Sequence, residues 1–587
     1  MIFFKRSVVI LLLLAWQMSG QASSLKEIQQ LADKGAVSLA IQILEKQQAK
    51  YVEQKSIWIS LEQQRIALYK QREDWQKISE RLKELPKTSE ITFIQWARTE
   101  RAIALLELHK PAEAREELRY LIWKTQIAKT NLELLTHWRK LIVRSYLNDS
   151  FANDAQIASF RLQQDVPQDD LSDVILRARI AIENRRSDEA EKLLKPYADN
   201  PEVAALILLA QLRGQSRSPK HVLQAAYRYI RNKQTANELK VNLWAVAAEA
   251  ARQNGSRAAM ANAMEHVLAN KQHLRLSDNV SKFNSDSLWN AYIDYALIIS
   301  NQEQLLIGQD KAWLNVADKL VKKQPVGSRS MNVFVMLRGK EQKLREQAAS
   351  AFVASVLKRE HGKQLLLNLF KDSKYFKHLV AIPKPVRHAL VDIALGSSDI
   401  DRASEIMATI KAPLSAEDTD QFMWQLRRSR ILVLGNQAEA GAEALFEILK
   451  QNPKLPQDQL DKLMQVIFDL QTAGQHEYAY RLFTEVLKLS KDEKLQRELY
   501  YWMADSQKAA ESYAEAARLY LKSALHPDPE NIDPWAQTAI YQAAVSLTQA
   551  GFYRDAQTLY ERLLKVTEDP ARRATLKREL QRLWAIQ

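Results

Sequence analysis

The chain has 587 residues and a formal net charge of +14, from 84 lysines and arginines against 70 aspartates and glutamates. A length this great exceeds one compact core, and 13 glycines with 16 prolines, roughly 5% of residues against an average nearer 12%, leave little material for the turns of a strand-rich protein. Cysteine is absent, which excludes disulfides, thiolate metal sites, thiol catalysis and the acylated cysteine of a bacterial lipoprotein. The composition therefore predicts an all-α fold spread over domains or an array.

The N-terminus carries Lys5 and Arg6, an apolar run from Val8 to Trp16, and the small-x-small exit Gly20-Gln21-Ala22. A basic start, a short apolar core and such an exit describe a secretory signal peptide over 1–22, with an uncleaved anchor as the alternative. The run is short for a bilayer span, and no later segment is long and apolar enough to be one. The expected product is a soluble periplasmic protein, with no transmembrane segment after cleavage. Removing the leader lowers the charge from +14 to +12. That basicity suits an acidic protein or an anionic envelope glycan, or is the balance of an ordinary solvated helical surface. Nucleic acid fits the charge but not the compartment.

Over 23–270 small or apolar residues recur at Ala40, Ile78, Ala114, Ala155, Ala190, Ala225 and Met260. Four positions after each stand Leu44, Leu82, Leu118, Ser159, Leu194, Tyr229 and Met264. Turn residues fall between at Lys34-Gly35, His109-Lys110-Pro111, Asn148-Asp149-Ser150, Asn184-Arg185-Arg186-Ser187 and Asn254-Gly255-Ser256. Prolines such as Pro86, Pro167, Pro201, Pro413, Pro453, Pro527 and Pro570 follow the second helix of several pairs, where they stop a helix without cost.

Over 271–383 the beat is lost. Helical patterns continue at Leu288–Ser300, Lys311–Lys322, Gln342–Lys358 and Lys363–Lys371. The segment Pro325-Val326-Gly327-Ser328-Arg329-Ser330 reads as turn-rich, and Ile382-Pro383-Lys384-Pro385 closes an irregular helical middle.

Over 384–587 the beat is strict. Ala403, Ala442, Ala479, Ala516 and Ala556 follow one another at intervals of 39, 37, 37 and 40 residues. Each is followed at i+4 by Met407, Phe446, Phe483, Tyr520 or Tyr560, and at i+7 by Ile410, Leu449, Val486, Ser523 or Leu563. Small, large, apolar at this spacing is one helix face, with the small residue where another helix crosses closely. A two-helix unit of this length cannot bury its apolar face alone, so stacked copies share a core. The basic stretch Ala571–Trp584 reads as a capping helix.

These units resemble the tetratricopeptide family, whose repeat is two antiparallel helices of about 34 residues. The pattern is clearest over Trp535–Pro570, with Ala544, Gly551 in the turn, Ala556, Tyr560, Leu563 and Pro570. The resemblance covers roughly 384–587 well and 23–270 more weakly. It implies a helical-hairpin solenoid that binds partners along a concave groove formed by the first helix of each pair. Carrying the register forward places Trp424, Arg427, Met464, Phe468, Tyr501 and Tyr541 on that side. The same residues belong to the core if the register shifts by one.

No zinc-protease helix, phosphate-binding loop or dinucleotide fingerprint is present, and the spacings of His266 with His273 and His378 with His388 suit no metal. No cofactor is expected. Most of the 13 tryptophans suit the inter-helix core better than a binding face. The expected function is a non-enzymatic periplasmic scaffold for protein partners, in envelope or exopolysaccharide biogenesis. The alternatives are a binder of peptidoglycan or acidic polysaccharide or an accessory to a cell-wall enzyme, or an enzyme with its site in 271–383.

Overall fold

The computed structural model describes residues 25–33, 37–52, 54–85, 90–125, 131–166, 170–274, 276, 283–371, 373–415, 420–435, 437–528, 530 and 532–585. The leader over 1–22, the Lys34-Gly35 turn, Pro86 and Pro167 lie outside them. The described residues form thirty α-helices and no strand. They divide between Pro383 and Lys384 into two compact units.

Unit 384–587 is five antiparallel hairpins and a final helix. The hairpins are Lys384–Gly396 with Ile400–Ala408, Gln421–Leu434 with Ala438–Gln451, Gln457–Thr472 with His476–Leu489, Glu493–Ala509 with Tyr513–Leu525, and Pro534–Gln549 with Tyr553–Val566. The chain is thus all-α and built of stacked helical hairpins, as the tetratricopeptide resemblance implies. Ala403, Ala442, Ala479, Ala516 and Ala556 are all fully buried, and Phe483, Tyr520 and Tyr560 fill the spaces beside them. Burying one such large side chain contributes about 1.5–3 kcal/mol, so the repeated small–large pair carries much of the array's cohesion. The helix Pro570–Trp584 closes the unit by burying Leu576 and Leu583, with Arg573 bonded to Leu564 and Thr567 C=O and Arg572, Arg578 and Arg582 exposed.

One turn recurs throughout. In Ala473-Gly474-Gln475 the middle residue is left-handed, and Gln475 N–H donates back to Leu470 C=O at 2.9 Å. The same six-residue closure joins Asp74 to Tyr69, Lys110 to Leu105, Phe151 to Tyr146, Ser512 to Gln507 and Phe552 to Leu547. It satisfies carbonyls that a helix end leaves without partners. Glycine holds the left-handed position at Gly255, Gly474 and Gly551, but Glu73, His109, Ser150, Arg185, Ser398 and Glu511 hold it elsewhere.

Unit 1–383 opens with hairpins of the same kind. Ala40, Ala114, Ala155 and Ala190 are fully buried at the expected positions. The register then slips. Tyr229 is 40% exposed, and Val222 with Ala226 take the buried stripe of Pro219–Arg231. Met260 likewise yields to the fully buried Ala261.

The region 271–383 corrects one expectation. Pro325–Arg338 is a helix, not a turn, and every residue from Gly327 to Met336 is buried. Proline at the first helical position presets φ and sacrifices no bond. Gly327 brings the helix against Ser285–Gln302, since a Cβ there would lie 3.1 Å from Ile299 Cδ1. Small polar residues survive burial by bonding to their own helix: Ser330 Oγ donates to Val326 C=O at 2.8 Å, and Asn332 Nδ2 to Ser328 C=O at 3.0 Å. Turn-type composition here serves close packing. The remaining helices, Ser285–Gln302, Asp310–Leu320, Gln342–Leu357 and Gly362–Phe370, fall within two residues of the expected bounds at nearly every end. Gly362–Phe370 packs back on Arg257–Ala269, which explains why spacing along the chain stops repeating.

At the centre of that packing Glu265, fully buried, accepts from four donors. Arg329 Nε and Nη2 reach its two oxygens at 2.7 Å each, Tyr292 OH at 2.7 Å and Arg359 Nη1 at 2.9 Å. Burial, and then the Glu265 charge, keep the Tyr292 hydroxyl protonated well above its ordinary range. Arg359 also meets His266 Nε2 at 3.2 Å, and His266 stacks on Trp244 with ring centroids 4.0 Å apart.

Candidate functional site

Consecutive first helices of 384–587 are joined by side chains at every step. Arg427 Nη2 donates to Asp392 Oδ1 at 2.6 Å, and Arg430 Nε reaches Asp469 Oδ2 at 2.9 Å. Gln471 Nε2 donates to Trp502 C=O at 2.9 Å and Ser506 Oγ at 2.7 Å, and Lys508 Nζ to Gln542 Oε1 at 2.9 Å. This polar ladder fixes the spacing of one face and leaves exposed donors and acceptors along it.

Aromatic rings lie between its rungs. Phe468 packs edge-on to Trp502 at 5.1 Å, and Trp502 edge-on to Tyr501 at 5.3 Å. Here a groove of about 720 Å³ opens, its walls formed by Phe468, Gln471, His476, Trp502, Asp505 and Lys508. Tyr520 OH donates to Asp505 Oδ1 from beneath, and burial with that bond raises the Tyr520 hydroxyl far above its usual range. His476 Nδ1 is buried with no hydrogen-bond partner among the described residues. With Tyr513 and Gln549 also in its lining, the groove offers three aromatic rings besides the His476 imidazole, two amides, a carboxylate and an ammonium. Among the described residues no group of three His, Asp or Glu side chains is placed to hold a metal.

The six residues singled out from sequence are not brought together. Phe468 lines the groove, whereas Tyr501 beside it is half-buried, packed on Tyr520 and Trp535 at 5.1 Å each. Met464 is 6% exposed and belongs to the core. Trp424 and Arg427 stand on the hairpin before the groove, and the Arg427 charge is already paired with Asp392. Tyr541 lines a separate hollow of about 420 Å³ with Leu563, Thr567 and Leu576, under the final helix. Trp502, Asp505 and Lys508 were missed. They sit at i+1, i+4 and i+7 from Tyr501, so a one-residue shift of the assumed register recovers all three.

The chain matches no protein-family model and no curated protein. Among solved structures it is similar to a chain of the APC/C hetero-tetramer Cut9–Hcn1, with 13% identity, 97% of this chain and 98% of that chain covered, and a TM-score of 0.26. Yeast Tom70 is similar at 10% identity, with 84% and 96% covered and a TM-score of 0.21. A chain of Naa15/Naa10 bound to HypK is similar at 11% identity, with 96% of each covered and a TM-score of 0.21. At scores this low the helices themselves, not the likeness, carry the argument.

Proposed function

We propose that this chain is an exported, non-enzymatic scaffold that binds protein partners through the first-helix face of 384–587. The observation behind this reading is the 720 Å³ groove, open to solvent and walled by Phe468 and Trp502 with polar groups on either side. Extended peptides are recognised by such surfaces, with rings as anchors and amides or charges setting register. The periplasmic assignment rests on the sequence of 1–22, and envelope or exopolysaccharide biogenesis is the setting it suits. No described helix is long and apolar enough to cross a membrane. A glycan is the second reading, favoured by Trp502 lining the groove beside Gln471 and Asp505, since sugars pair ring stacking with hydrogen bonds.

Affinity purification of the exported chain tests the proposal, with Trp502→Ala and Phe468→Ala as comparators. Specific periplasmic proteins should be retained by wild type and reduced roughly tenfold or more by Trp502→Ala, as for a central aromatic anchor. N-terminal sequencing of the exported form should begin at Ser23. Retention on peptidoglycan or acidic polysaccharide without protein partners favours the glycan reading. Met1 retained in the membrane fraction overturns cleavage.

A further inference from the structure

From Val203 to Asn237 the chain holds no aspartate or glutamate and six basic residues: Arg213, Arg217, Lys220, Arg228, Arg231 and Lys233. Residues 319–340 also lack acids, but there Arg329 is buried against Glu265. It folds into the hairpin Pro201–Arg213 with Pro219–Arg231. Arg213 reaches Glu183 at 3.4 Å. Arg217 and Arg228 are exposed and pair with no carboxylate among the described residues. Arg217 Nη1 makes only a long bond, 3.4 Å, to Gln211 Oε1.

Between these two arginines a cavity of about 420 Å³ opens. Its floor is aliphatic, from Ala204, Ile207, Leu208 and Ala225, and Arg217 and Arg228 stand on its rim with no acidic residue in the lining. The nearest acids in sequence, Asp199, Glu202 in the first turn of the first helix, and Glu238, do not line the cavity. Unpaired guanidinium forks match carboxylates, and the uncompensated local charge draws acidic partners in. One ring, Tyr229, lies in the lining beside the aliphatic floor, and the volume is too small for the paired tails of a phospholipid. An apolar side chain fits both floor and size.

We propose that this cavity docks an acidic peptide segment of a protein partner, one apolar side chain filling it while flanking carboxylates bind Arg217 and Arg228. The proposal rests on the scaffold reading but uses a different part of the chain from the aromatic groove. It adds a second contact, specific for charge, to a first that is specific for shape.

Fluorescence anisotropy on the full chain tests it, using a labelled peptide with leucine set between aspartates and glutamates. A peptide with asparagine and glutamine at the acidic positions is the control. The acidic peptide should bind and the neutral one should not, with affinity falling as salt screens the charges. The pair Arg217→Ala with Arg228→Ala should weaken binding roughly tenfold or more. Ala198→Trp, an exposed position at the cavity mouth, should block it. An unchanged urea midpoint confirms that both variants fold. Equal binding by the double variant, or by the neutral peptide, overturns the proposal. So does binding of polygalacturonate or phosphatidylglycerol vesicles in place of the peptide. If the peptide fails while periplasmic proteins are still retained, the cavity is discarded and the scaffold reading stands. If the peptide binds and the double variant loses it while no periplasmic protein is retained, the cavity stands and the scaffold reading falls.

Discussion

The hairpins of 384–587 and the packed centre around Pro325–Arg338 use the same chemistry to opposite ends. In the first, the arginine–carboxylate pair that joins the first two hairpins lies on the surface: Arg427 and Asp392 are 50% and 62% exposed. In the second, Arg329 and Glu265 are 2% and 0% exposed. An exposed pair gains little because water already solvates both charges, and it serves mainly to hold spacing. A buried pair has surrendered its water, so each partner depends wholly on the other. A repeating array needs no single indispensable contact, because every interface resembles the next. A region whose helices fold back on one another concentrates its specification in one cluster.

The sharpest way to break this comparison is to truncate both pairs. Glu265→Ala leaves Arg329 charged and buried and should cost about 3–5 kcal/mol, whereas Arg427→Ala should cost about 1 kcal/mol or less. Urea unfolding measures both, and similar losses would show that burial does not separate the two regions.

A second test exploits His266. Burial, then the neighbouring Arg359, holds its pKa down to about 4 from an ordinary 6.5, with Glu265 opposing and Arg329 and His361 adding to the fall. Folded His266 stays neutral in the range where the unfolded chain takes up a proton. Stability is therefore full above pH 6.5 and declines as pH falls toward about 4, by on the order of 3 kcal/mol. Replacing it, as in His266→Gln, should flatten that slope between pH 6.5 and 5. An identical pH profile in the variant would assign the slope to other groups.

A third test concerns the small–large crossings of the array. Ala556→Leu should overpack one hairpin crossing and cost about 1–3 kcal/mol, since the neighbouring Tyr560 and Leu563 are themselves buried. An unchanged midpoint would mean that the crossing has room to relax.

Much of this architecture was legible because helix packing writes itself into spacing. A close crossing demands alanine at Ala479 or Ala516, and the space beside it demands Phe483 or Tyr520. What was not legible has two physical causes. Pro325–Ser330 reads as a turn by local propensity, and only neighbours distant in sequence convert its small residues into a buried helix face. The groove was displaced by one residue because Tyr501 and Trp502 are equally aromatic, and only packing on Tyr520 and Trp535 decides which ring turns inward. Glu265 gave no signal, since its partners lie 27, 64 and 94 positions away.

The recurring three-residue turn bears on how such a chain changes over generations. Both its closing hydrogen-bond groups are backbone, as in Gln475 to Leu470 and Ser512 to Gln507, so no side chain is obligatory there. Glycine at Gly474 and glutamate at Glu511 close the same geometry. Lineages can therefore replace turn residues freely, and a hairpin can be duplicated or lost between equivalent turns without redesigning the joint. The architecture is inherited through the crossings while the letters at the joints wander.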